Sequence, residues 1–321
     1  MPERIETVDC VIGAGIAGLT IAHDLMAGGN SPLILDKGRT PGGRMATRRF
    51  EGGLFDHGLP AIEPGAKSVE LIQAGTGAGI LESIEMEGQT VFASPTGLSA
   101  LGKYLGSTLD LKLQARAGSA RREGDSVVLP VENGDGEDFE VEVTGTLFVT
   151  APLPQAQELV GNLFGSTLTD LPNPYSRCLV GLAVLDDEAD LPGGPLLRDL
   201  DGPDFERLVL EFLKFPDRAP GLSLRATALA SDRLFDVDSG EQHSFFLKGY
   251  ADLGIEVDSD RLQVKKWGYS QPTGGSRETH LTIDTGGVRV IVCGDAFASD
   301  LGSAVERSLA SAAAALESKI G

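Results

Sequence analysis

Two periodicities divide this chain. Asp9–Ile12 reads DCVI, a short run fit for a buried strand, and from Ile16 to Met26 apolar residues recur at helical spacing. A second strand follows in PLILD, ending at Asp36. Weak helical character covers Ala66–Ile84, and TGLSALGKYLG, Thr96–Gly106, predicts a short amphipathic helix. From Leu109 to Val149 the period is that of strands: LDLKLQARAG, DSVVLPVE, DFEVEVTG and then TLFVTAP, with hairpin turns at REGD and NGDGED. A helix is expected to start near Pro154. Residues 165–265 predict a strand-rich region with proline-rich breaks at 172–174, 192–195 and 216–220. VRVIVCGDAF, Val288–Phe297, is a further strand, and the last helix, from about Ser303 to Ile320, sets Val305, Leu309, Ala312, Leu316 and Ile320 on one face. SAVE, Ser303–Glu306, predicts a capping box in which each side chain satisfies the other's backbone donor.

The first strand meets its helix through Gly13-Ala14-Gly15-Ile16-Ala17-Gly18. Gly13 permits the tight turn, Gly15 lets backbone N–H groups approach a pyrophosphate, and Gly18 lets helix and strand pack closely. The helix N-terminus adds a positive dipole end. Asp36, ending the next strand, is placed to accept both hydroxyls of an adenosine ribose and disfavours a 2′-phosphate. The pattern predicts a dinucleotide site, the alternative being an ordinary glycine-rich turn.

The chain then enters KGRTPGGRMATRRFEGGLFDHG, Lys37–Gly58, dense in Gly and Arg, as though something extended lies along it. Near the other end, Gly294 and Asp295 follow a strand and precede a helix. A nucleotide lobe built from both ends implies a long ligand, and FAD is one. Asp295 is positioned either to accept a ribityl hydroxyl or to act as a turn or cap residue. The final helix could face the flavin pyrimidine with its N-terminus.

Composition narrows the classes. The 321 residues are 41% hydrophobic and 23% charged, ordinary globular material sufficient for two lobes. A net charge of −20 argues against nucleic acid and anionic membranes as partners. With no apolar run of membrane-span length and no signal-like start, the expectation is a soluble, cytoplasmic protein. Cys10, Cys178 and Cys293 read as buried thiols; His23, His57, His243 and His280 form no metal-ligand spacing. Oligomeric state is not legible.

VIGAGIAGLT, LDKGRTPGGRMATRR, FDHG, VTAPLPQAQELV, KKWGYSQP and VCGDAF occur in an order and spacing that resembles the renalase-like branch of the flavin amine oxidase superfamily. The resemblance implies an α/β fold with a Rossmann-type, p-hydroxybenzoate-hydroxylase-like FAD lobe and a mixed-sheet α+β substrate lobe. Residues 1–60, 95–164 and 270–321 would form the first; 61–94 and 165–269 would form the second. It implies non-covalent FAD, with the glycine turn on the pyrophosphate, Asp36 and Lys37 near the adenosine ribose, and Ala117 contacting adenine. Gly42, Gly43, Arg44 and Met45 would run beside phosphates and flavin, with Asp56, His57 and Gly58 following. Gly294, Asp295 and Ala304 would close the ribityl end. Arg44 also has a direct case, since a guanidinium can offset pyrophosphate charge bidentately.

Renalase-like enzymes oxidise dihydronicotinamide dinucleotides bearing hydride on an unusual ring carbon and pass the electrons to oxygen, a task mostly of placement. On the substrate side the candidates are His57, Lys266, Trp267 and Tyr269, against readings of Lys266 as a solvated strand residue and of the aromatics as core. LPAIEPG after FDHG and DLGSAVERS after Asp295 depart from the family pattern, and aromatic content is only 6%. Competing readings are an amine oxidase or desaturase on the same scaffold, or a non-catalytic flavin-binding sensor.

Overall fold

The computed structural model describes residues 3–172, 175–185, 196–215 and 218–320; the proline-rich breaks at 172–174, 192–195 and 216–220 lie wholly or partly outside the described residues. At the centre, Arg289–Val292, Phe139–Val149, Glu3–Ile12, Leu33–Leu35 and Asp110–Lys112 lie side by side in that order, all parallel. Leu281–Asp284 adds an antiparallel edge, while Ser126–Asn133 pairs with Phe139–Val149 and with the short strands Ala115–Ala117 and Arg121–Glu123. The apolar runs persist because both faces are covered. Cys10, Leu35, Leu147 and Val290 face one core; Val11, Ile34, Phe148 and Ile291 face the other.

DFEVEVTG and TLFVTAP are one strand, Phe139–Val149, rather than two. Gly145 resembles a turn residue, but its pairing with Glu3–Ile12 shifts register between Thr7 and Asp9, and a Cβ on Gly145 would lie 2.7 Å from Val8 Cγ1. The glycine admits a bulge instead of ending the strand. The predicted helix at Ala66–Ile84 is shorter, Val69–Gly77. It gives way to a hairpin, Glu82–Met86 with Gln89–Ala93, turned by Glu87 and Gly88, both at positive φ.

Helices Ile16–Ala27 and Ala304–Ile320 pack together over the second core, which takes Val305, Leu309 and Ala312 from the predicted apolar face and Leu316 at its margin. The Ile320 side chain is outside the described residues. Only half of the capping box forms. Glu306 N donates to Ser303 Oγ at 3.2 Å, but the Glu306 carboxylate turns away and accepts Lys67 N and Ser68 N at 2.9 and 2.7 Å. It thereby fastens the start of helix Val69–Gly77 to the last helix.

The second lobe is an antiparallel sheet in the order Leu197–Asp199, Phe205–Leu210, Gly221–Ala226, Tyr175–Val184, Leu262–Pro272. One face buries Leu179, Leu208, Leu224, Phe246 and Tyr250 beneath helices Ala228–Leu234 and Ser239–Asp252. The opposite face meets Phe55 and the hairpin Thr47–Phe50/Gly53–Asp56 through Cys178, Val180 and Leu182. All three cysteines are buried and free. Among the described residues no helix is long and apolar enough to cross a membrane.

Candidate cofactor and substrate site

A cavity of about 730 Å³ opens where Ile12, Leu35, Thr150 and Gly294 sit at or just past the carboxyl ends of the parallel strands. That is where open α/β sheets hold ligands, and the volume falls in the range of about 300–1,000 Å³ typical of small-molecule and cofactor sites.

Backbone builds one end. A Cβ on Gly18 would lie 1.9 Å from Gly13 O, so only glycine lets the helix sit this close, whereas a Cβ on Gly15 would meet nothing within 4 Å. Gly15 therefore faces the cavity as an open cradle. Gly42 N donates to Ala14 O at 2.7 Å, bringing Gly42, Gly43, Arg44 and Met45 against the turn; all four line the cavity. Asp36 Oδ2 accepts Ala14 N and Oδ1 accepts Gly38 N, each at 2.6 Å. Ala14 is thus a bracing residue whose N–H is already taken, and neither it nor Gly18 lines the cavity. Gly13, Ile16, Ala17, Asp36, Lys37, Ala117 and Glu158 do. Burial, followed by the charge of Arg116, lowers the Lys37 pKa, while Asp36 and Glu158 partly offset this.

Side chains build the other end, from segments far apart in sequence. Arg44 Nη1 donates to Asp295 Oδ2 at 2.6 Å and to Ser270 O at 3.1 Å; Tyr175 OH donates to Asp295 Oδ1 at 2.8 Å. Asp295 is 4% exposed, and its charge helps hold the Arg44 pKa above the ordinary value against the opposing effect of burial. Burial, then the Asp295 charge, drives the Tyr175 pKa up, so the phenol stays protonated and donates. Arg44 is accordingly not the free counter-charge to a pyrophosphate that the sequence suggested. Gly294 and Ala304 line this end too, Ala304 as the first residue of the last helix.

Three of the candidate residues lie off the cavity. Asp56 does not reach the cavity; it is buried, accepts Thr47 Oγ1 and Leu98 N, and pairs with Lys214 Nζ at 3.3 Å. Lys214 also meets Glu211 at 2.7 Å, a cluster withdrawn from water. His57 sits behind the wall: its ring packs on Trp267 with centroids 5.2 Å apart, its carbonyl accepts Trp267 Nε1 at 2.9 Å, and Nδ1 is buried without a partner. Burial, then the Lys265 charge, pushes its pKa down to about 4, so it is neutral at pH 7. Lys266 turns away from the cavity onto the Phe235 ring and carbonyl.

Trp267 and Tyr269 do line the cavity, with Gly58 beside Trp267. An irregularity explains this. Opposite Ser176–Cys178 the strand Leu262–Pro272 shifts register, and the run from Trp267 to Gln271 faces the cavity without strand alternation. Tyr175 stands edge-on to Tyr269 at 5.9 Å, so an aromatic-poor chain gathers three of its rings here. Sequence reasoning missed Tyr175 and Arg225, which carry no local motif, and Ser270, which sits within KKWGYSQP. Thr150, whose Oγ1 donates to Ile12 O at 3.0 Å, was discoverable as the residue following a buried strand.

The fold is a Rossmann-type NAD(P)/FAD-binding lobe joined to a mixed α/β substrate lobe, the arrangement of amine-oxidase-like folds. Residues 11–73 match the family model of the NAD(P)-binding Rossmann-like domain. Hydroxyneurosporene desaturase of Rubrivivax gelatinosus is 37% identical over 83 residues, 26% of this chain and only 16% of that protein's length. Over 98% of both chains, the fold superposes with a TM-score of 0.73 and 13% identity on a protein from Exiguobacterium sp. 255-15 provisionally assigned as a protoporphyrinogen oxidase. Wild-type putrescine oxidase bound to putrescine gives a TM-score of 0.67 at 10% identity, over 99% of each chain.

Proposed function

We propose that this chain holds FAD non-covalently along the cavity and is a renalase-like oxidoreductase acting on a small reduced substrate, with a dihydronicotinamide dinucleotide isomer as the candidate. The supporting observation is continuity: one cavity joins the Gly15 cradle and Asp36 to the Arg44–Asp295–Tyr175 group and the final helix. A two-part cofactor requires such a span. Residues 1–60, 95–164 and 270–321 would form the cofactor lobe.

When bound, flavin supplies the hydride acceptor. The chain's own part is placement. The first turn of helix Ile16–Ala27 offers N–H groups to phosphates, and Asp36 keeps lone pairs for ribose hydroxyls beyond the two N–H groups it accepts. Asp295, fixed by Arg44 and Tyr175, is held for a ribityl hydroxyl. Trp267 and Tyr269 supply flat surface against which a substrate ring can be oriented. Overall the substrate would lose a hydride, and dioxygen, the proposed acceptor, would take up those two electrons with that hydrogen and one proton from solvent to become hydrogen peroxide.

Trp267 and Tyr269 in the wall, with Tyr175 edge-on to Tyr269, also suit an amine, so amine oxidation is the second reading. Visible spectra of the purified protein, recorded anaerobically before and after each dihydronicotinamide isomer or putrescine, test both. A bound flavin bleached by one dihydronicotinamide isomer supports the first reading; bleaching by putrescine alone supports the second. Flavin bleached by none points to a binding role, and failure to retain added FAD overturns the cofactor assignment.

A further inference from the structure

We propose that Arg225 recognises an anionic group, a carboxylate or phosphate, on the molecule that enters the substrate end of the cavity. This rests on the functional reading above but uses a residue that reading leaves idle. Arg225 lies on Gly221–Ala226 in the second lobe, opposite Val180, and lines the cavity with Trp267, Tyr269 and Ser270. Its side chain is only 16% exposed.

The guanidinium is aimed and held. Nε donates to Glu206 Oε1 at 2.6 Å and Nη2 to Ser270 Oγ at 2.8 Å. These bonds use two of the five N–H groups, and among the described residues Nη1 has no hydrogen-bond partner. Of the other cations lining the cavity, Lys37, Arg39 and Arg116 belong to segments at the Asp36 end and Arg44 is paired with Asp295, so Arg225 is the cation at the aromatic end that Asp295 does not hold. Arg225 is paired through Nε with Glu206, which lies outside the cavity wall and is 44% exposed, so the carboxylate occupies the far edge of the guanidinium. The Nη1 edge is left as an open fork beside a flat aromatic surface. Such a fork matches the paired oxygens of carboxylate and phosphate.

Trp267 is the only tryptophan, and its fluorescence therefore reports cavity binding with or without flavin. Benzoate, phenyl phosphate and benzamide, two anions and a neutral isostere, are titrated against the full chain with and without FAD. The expected result is that at least one anion binds tenfold or more tighter than benzamide, the tighter one telling carboxylate from phosphate. Arg225→Gln reduces that preference to less than threefold, and Arg225→Lys retains part of it. Glu206→Gln moves the opposite way, tightening the anion severalfold, which a folding defect would not do. Equal affinities for all three probes, no response to either anion, or a preference that survives Arg225→Gln overturns the assignment. Anion preference without any flavin retention overturns the FAD reading alone; retained flavin without anion preference overturns this inference alone.

Discussion

The two ends of the cavity are made of different material. At the Gly15 end the contacts are backbone: N–H groups, positive-φ turns and positions where a Cβ has no room, nearly all within residues 12–45. At the Asp295 end they are side chains, Arg44, Tyr175, Arg225 and Trp267, brought from four separate stretches of chain. A backbone cradle depends on shape and fails by collision. A side-chain end depends on pairing and fails when one partner is left alone.

The largest effect is expected from breaking a pair. Lys214→Met strips the buried carboxylates of Asp56 and Glu211 of their nearest cation, leaving Arg218 at 3.9 Å from Glu211, and should cost about 3 kcal/mol in urea unfolding, the low end of the range for removing one partner of a buried ion pair. Because Asp56 lies two residues before Gly58, which lines the cavity, retention of added FAD should fall as well. Next comes collision. Gly18→Ala drives a methyl into Gly13 O and should cost about 1–3 kcal/mol, with retention of added FAD reduced at least tenfold in a spin-filtration assay.

A smaller effect lies in pH. His57, neutral because burial lowers its pKa to about 4, takes up its proton near pH 6.5 when unfolded. The unfolded state therefore binds more protons between about pH 6.5 and 4, so stability is present above that window and declines as pH falls through it, by at most about 1.4 kcal/mol per pH unit. Tm measured across this window should flatten in His57→Phe relative to the parent. The smallest effect concerns Lys266, which lies outside the cavity: Lys266→Ala should change stability by less than about 0.5 kcal/mol and leave the rate of flavin reduction unaltered in stopped flow. A tenfold slower reduction would return Lys266 to the chemistry.

The same contrast explains what was legible in sequence. The glycine turn, Asp36 and the final helix are read locally, since spacing along the chain translates directly into geometry. Lys266 was misjudged because adjacent strand residues point to opposite faces: it pairs with Leu179 on the helix-covered side, whereas Trp267 pairs with Cys178 on the other. Asp56 sits in a motif-like FDHG, yet its partner Lys214 is far along the chain and only folding brings them together. Glu306 follows the capping pattern faithfully and still spends its carboxylate on Lys67 and Ser68. Arg225 and Tyr175 have no local signature at all, because what defines them is distant: the cavity for Arg225 and the Asp295 carboxylate for Tyr175.

The interleaving of the central sheet bears on how the chain is made. Glu3–Ile12 leaves the ribosome well before its neighbour Phe139–Val149, and Arg289–Val292, which covers part of that neighbour's other edge, comes later still. Such distant pairings close slowly. Until then only the Phe139–Val143 part of that edge is paired, by Ser126–Asn133, and Thr146–Val149 waits open, a template for aggregation until the closing strand arrives. The second lobe, whose antiparallel strands fall between residues 175 and 272, completes its own sheet while that edge is still open. The later-encoded sheet is thus free to mature before the earlier-encoded one.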